Sequence, residues 1–178
     1  IRAFRKEIVH HCDSKEPPEG VNVGYLYVDS DNSEMDRSDP RFRVLGQNVQ
    51  LAEGSRLDIE GQDVGRRIGH LEDFANLRGW AGDKRQWEGM VAGHTKVLGG
   101  QRRRLGRLLF ACKAAEFVAQ VTLNVKQLQE KGDRDARVAF HIIAGLAGGT
   151  GSGAVVDAVA LLRHKYDVPD SFPITVYA

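Results

Sequence analysis

Apolar residues recur along this chain in two rhythms. Ile1, Phe4, Ile8 and Val9 stand at helical spacing with Arg2, Arg5, Lys6 and Glu7 between them, which predicts an amphipathic helix over 1–9. A Pro- and Gly-containing loop follows at 13–20. The β-branched and aromatic run 21–28, bounded by Gly20 and Asp29, predicts a strand buried on both faces. Residues 42–45 and 49–51 are weaker strand patterns and 68–77 a short helix, inside a Gly-punctuated stretch from 46 to 100 with no sustained rhythm. From Gln101 to Gln129 the period returns. Leu105, Leu108, Leu109, Cys112, Ala115, Ala119, Leu123 and Leu128 predict one helix roughly 40 Å long. Residues 138–144 predict a second strand, 154–166 a second long helix and 172–178 a last strand. Strand, helix, strand in that order predicts a parallel α/β unit whose ligands sit outside the carboxyl ends of the strands.

Composition narrows the function classes. With 178 residues, 42% hydrophobic and 28% charged, the chain has the material for one ordered domain. Lys plus Arg (25) against Asp plus Glu (24) leaves +1, so bulk charge gives no reason to expect nucleic acid or an anionic membrane as partner. Two cysteines exclude a disulfide framework, and no apolar run reaches the roughly eighteen residues of a membrane span. A cytoplasmic protein is expected. The chain opens on Ile1 rather than Met and closes inside the apolar run 174–178, which reads as a piece of a longer protein.

Chemistry concentrates in one loop. Gly145-Leu146-Ala147-Gly148-Gly149-Thr150-Gly151-Ser152-Gly153 places five glycines in nine residues between a strand and a helix. Glycine lets backbone N–H groups approach an anion, the helix adds its positive dipole end, and Thr150 and Ser152 add hydroxyls. Phosphate is the ligand this chemistry suits; a tight structural turn is the alternative. A Walker loop is excluded, because Gly153 is followed by Ala154 and Val155 rather than Lys and Ser or Thr. Gly149, Gly151 and Ala154 satisfy the loose dinucleotide pattern, which keeps a Rossmann-type dinucleotide-binding module of an oxidoreductase as the alternative function. The acidic residue that fingerprint expects about twenty positions on is absent up to Ala178.

Taken whole, 147–153 resembles the glycine-rich signature loop of the tubulin/FtsZ superfamily of GTPases, with Gly148 to Gly153 matching its core and Ala147 an accepted variant of its first residue. Two further segments agree in order. Val28-Asp29-Ser30-Asp31 resembles the acidic loop near the nucleotide and its metal, and Leu98-Gly99-Gly100-Gln101 resembles the loop that embraces the γ-phosphate. The 32–96 region is unlike eukaryotic tubulin, which points to a divergent bacterial tubulin-like protein. The resemblance implies a three-layer, mostly parallel Rossmann-like sheet with helices on both faces, of which 1–178 would be the N-terminal half of the nucleotide-binding domain with an insertion-like region at 32–96.

It also implies GTP or GDP with Mg²⁺ as ligands, self-association into protofilaments, and hydrolysis in the full-length protein. Ala147, Gly148, Gly149, Thr150, Gly151, Ser152, Gly153, Gly99, Gly100 and Gln101 would hold phosphates. Asp29 and Asp31 would serve the metal through water, since carboxylates beside a triphosphate need an intervening cation. No residue here is assigned to the base. The family's first glycine loop and its downstream catalytic loop have no counterpart in 1–178, so the piece alone is expected to be inactive.

Other features carry less. Arg102, Arg103, Arg104 and Arg107 crowd the amino end of a helix, where the dipole disfavours cations, and suggest a solvated basic face or an anion nearby. His10-His11-Cys12 lies on a helix where adjacent side chains diverge too far to share an ion. His141 is expected to be a core histidine, and Trp80 and Trp87 either interface anchors or a local mini-core.

Overall fold

The computed structural model describes residues 2–12, 19–36, 43–44, 47–48, 53–61, 64–91, 100–132 and 137–178. In chain order these form α1 (Arg2–Cys12), β1 (Tyr27–Asp29), α2 (Asn32–Asp36), the short strands β2 (Arg43–Val44) and β3 (Gln47–Asn48), β4 (Arg56–Asp58), α3 (Val64–Gly69), α4 (Ala75–Arg78), α5 (Arg85–Val91), α6 (Arg103–Cys112), α7 (Ala114–Lys131), β5 (Phe140–Ile143), α8 (Gly149–Lys165) and β6 (Ile174–Tyr177). The fold is mixed α/β. Strand β1 pairs with β4 in parallel, β5 pairs with β6 in parallel across α8, and β2 with β3 form a small antiparallel pair.

The unit at 138–178 is the strand, helix, strand that the pattern predicts. Phe140 stands opposite Ile174 and Ile142 opposite Val176; Phe140, Ile142 and Ile174 pack toward the core. Rings of Phe140, Tyr166 and Phe172 cluster at 4.8 to 6.3 Å and tie the end of α8 to both strands. His141 is not a core histidine. Strand alternation turns it to the exposed face, where its Nδ1 lies 3.0 Å from the Tyr177 hydroxyl and its ring stacks on that phenol. The strand expected at 21–28 also shortens, because only Tyr27–Asp29 finds a partner strand; Val21 is exposed and none of the three paired residues is fully buried.

Helix α6 is the centre of the core. It buries Leu105, Gly106, Leu108, Leu109 and Phe110, which leaves little of its circumference to solvent. Leu57 and Ile59, Leu77, and the fully buried Trp87 pack in the same cluster. The single helix expected over 101–129 is two helices bent by 66° at Lys113, whose φ of −113° and ψ of 12° interrupt the helical ladder. The break rotates the buried stripe. Helix α7 buries Phe117, Val121 and Val125, whereas Ala115, Ala119 and Leu123, members of the expected stripe, are not buried. Among the described residues no single helix is long and apolar enough to cross a membrane.

Helix α8 starts at Gly149, five residues before the expected start at 154, so three glycines of the loop lie in its first turns. Its buried stripe is Gly149, Gly153, Ala154, Ala158 and Leu162, mostly small residues, and α6 packs backbone to backbone against it. A Cβ on Gly106 would lie 2.1 Å from the Gly149 carbonyl oxygen, and one on Gly153 would lie 2.3 Å from that of Arg103. Both positions therefore require glycine. Arg163, His164 and Lys165 in the last turn complement the helix dipole.

Candidate functional site: the junction of the glycine loop, β1 and α6

Strand β1 ends at Asp29, α8 begins at Gly149, and the turn at 100–102 leads into α6; these three ends meet. The Thr150 hydroxyl donates to Asp29 Oδ1 at 3.3 Å, and Ser30 N–H donates to the same oxygen at 2.7 Å. Ser30, buried at 2% exposure, places its Oγ 3.3 Å from that of Thr150. The Gly149 N–H donates to the Gly100 carbonyl at 2.6 Å, so the turn before α6 rests on the first residue of α8. Gly100 has φ +52°, the left-handed region that favours glycine. Arg103 Nη2 donates to the Leu146 carbonyl at 3.4 Å and ties α6 to the loop from the other side.

The amino end of α8 lacks both a side-chain cap and an acidic residue: Gly148 is its N-cap, and no Asp or Glu stands in the first turn. Among the described residues an added Cβ at Gly145 or Gly100 would meet nothing within 4 Å, and at Gly148 only the Gly145 carbonyl at 4.0 Å. The other glycines have different work. Gly149 and Gly153 line the α6 contact, and a Cβ on Gly151 would lie 2.9 Å from the Gly145 carbonyl. Part of the abundance of glycine thus has a packing cause, the close helix crossing and the fold of the loop on itself. Ala147 is exposed at the loop tip, and the Ser152 hydroxyl donates back to the Gly148 carbonyl.

The two carboxylates singled out in the sequence differ in setting. Asp29 faces Thr150, whereas Asp31 Oδ1 accepts from Ser33 N–H at 3.0 Å and Ser33 Oγ at 2.6 Å, as an N-cap of α2. Asp58 belongs to the same sheet edge, in register with Asp29; its Oδ1 accepts from Glu60 N–H at 2.7 Å and its Oδ2 from the Asn32 side chain. The sequence pattern did not single out Asp58 because β4 lies in the stretch without rhythm. Among the described residues no group of three or more His, Cys, Asp or Glu could hold a metal ion. A cation sharing its shell with phosphate oxygens and water needs few protein ligands. Gln101 is exposed beside Gly100, and Gly99 lies outside the described residues.

The arginine cluster is not a solvated face throughout. The Arg104 guanidinium lies 4.9 Å from the Trp87 ring centroid and donates to the Ala81 carbonyl and Gln86 Oε1, both at 3.1 Å. Arg107 lies 4.3 Å over Trp80 and makes a two-pronged bridge to Asp157 at 2.7 and 2.9 Å. Those hydrogen bonds to Asp157 push its guanidinium above its ordinary range, against the opposing effect of burial. Trp87, fully buried with its indole N–H on the Ala81 carbonyl at 2.8 Å, joins Trp80 in an edge-to-face pair. The mini-core reading of the tryptophans holds, and it is continuous with the main core.

A family model described as "Tubulin like" matches residues 1–178. The chain belongs to the tubulin-like family. No curated protein and no solved structure gives a significant match. Within this tubulin-like chain the glycine loop, the Asp29 strand end and the Gly100 turn, separated by up to 121 positions in sequence, converge on one junction.

Proposed function

We propose that this tubulin-like chain binds GTP and GDP with Mg²⁺, and that in the full-length protein it hydrolyses GTP and assembles into filaments in a bacterial cytoplasm. The observation that carries the reading is the amino end of α8, without a side-chain cap, lying against both the Gly100 turn and Asp29. In it, the loop 147–153 cradles the phosphates through the backbone N–H groups of 148, 150 and 151, with the hydroxyls of Thr150 and Ser152 re-aimed from Asp29 and the Gly148 carbonyl, and 99–101 lies against the terminal phosphate. Asp29 and Asp31 hold Mg²⁺ through water; the ion, when bound, neutralises charge on the phosphate oxygens. Arg103, fixed to Leu146, adds positive charge at the rim. The two parallel strand pairs are read as parts of one three-layer, mostly parallel sheet. Water activation is assigned to a neighbouring subunit, which makes the polymer contact part of the site.

Calorimetric titration of the full-length protein with GTP and Mg²⁺ tests this. Parent protein should bind, and Gly151→Val should not, because the branched side chain presses on the Gly145 backbone and displaces the loop. A variant that keeps its helical circular dichroism and binds GTP as the parent does would overturn the phosphate role of the loop.

A further inference from the structure

The glycine crossing of α6 and α8 fixes how close the two helices lie and disfavours a slip that would bring a side chain into it, but it carries no side-chain contact that holds the finer register. Gly106, Gly149 and Gly153 present backbone without side-chain knobs to interlock. A lock against sliding stands about one turn further on. Arg107 follows Gly106, Asp157 follows Gly153 by one turn, and their two parallel hydrogen bonds accept only one register. The guanidinium is held from its other side by Trp80, which packs edge-on against the buried Trp87. Arg104 repeats the arrangement on Trp87. Since α6 starts just after Gln101, and the Gly100 carbonyl takes the Gly149 N–H, a slip of α6 along α8 would carry the 100–101 turn off the glycine loop.

Resting on the nucleotide reading above, we infer that Arg107, clamped between Asp157 and Trp80, is a positioning residue that sets the 100–101 turn over the terminal phosphate and couples that contact to the tryptophan pair. The bridge touches no ligand. Its effect therefore falls on the part of the ligand that the turn meets, so triphosphate and diphosphate should respond differently to its loss. A bridge that only stabilises the fold would change both alike.

The test is the pair of dissociation constants for GTP and GDP, with Mg²⁺, in the full-length protein and its Asp157→Asn variant, together with tryptophan emission during each titration. Loss of the bridge is expected to weaken GTP about tenfold and GDP by less than about threefold. In the parent, GTP should change tryptophan emission more than GDP, and in the variant that difference should vanish. Asp157→Glu, which keeps the charge, should restore most of the GTP preference; Arg107→Lys, which loses the fork, should behave like Asp157→Asn even if the latter folds poorly. Equal weakening of both nucleotides, or no change in either, overturns the positioning role while leaving the binding site intact. A parent protein that binds neither nucleotide overturns the nucleotide reading and this inference with it.

Discussion

At the scale of single residues, the junction separates glycines that pack against backbone from glycines that do not. Gly145, Gly148 and Gly100 leave open space beside the backbone, whereas Gly149 and Gly153 are used up by the α6 contact. Asp29 and Asp31 likewise differ, since one faces Thr150 and the other caps α2. Asp31→Ala removes that cap, worth about 0.5–2 kcal/mol, and under the proposed role also removes an outer-sphere metal partner. Turnover at saturating Mg²⁺ should therefore fall per folded molecule, while GDP affinity in EDTA stays near that of the parent. A lowered melting temperature with unchanged turnover would leave Asp31 as a helix cap alone.

At the scale of elements, the central pair is α6 on α8. Gly106→Ala drives a methyl into the Gly149 carbonyl and should cost at least about 1–3 kcal/mol, because backbone on both sides cannot move aside as a side chain can. Denaturant unfolding measures this, and an unchanged midpoint would contradict the close crossing. How much of this was legible in the sequence follows from the local signals. The unit of β5, α8 and β6 was readable, since a β-branched run, a glycine turn and a helical period follow one another within forty residues. The break at Lys113 was not, because Leu109 and Cys112 run on into Ala115 and Ala119 without a Pro or Gly, and only tertiary packing of Phe117 on Phe110 selects the other face. Nor was the double use of glycine legible. Gly149 and Gly153 stand at the four-residue spacing of a helix contact, but that spacing lay inside a motif that already had a chemical explanation. The glycine loop itself stood out by composition, and its nearness to Asp29 could be inferred from parallel-sheet topology; the Arg107 bridge to Asp157 spans 50 positions and has no local signature.

At the scale of the whole molecule, a tubulin-like chain with net charge +1 has no bulk field to gather an anion, so the proposed chemistry rests on one junction. The core radiates from α6, which touches the tryptophan mini-core on one side and the glycine loop on the other, so the two regions share one helix. The central claim is that this junction holds a guanine nucleotide. It is tested most directly by purifying the full-length protein without stripping, extracting its bound ligand and identifying it by chromatography and mass. The account predicts GDP or GTP in near-stoichiometric amount, absent from folded Gly151→Val. A nicotinamide or flavin dinucleotide in its place, or a folded parent protein that carries no nucleotide and takes up no GTP with Mg²⁺, would contradict it.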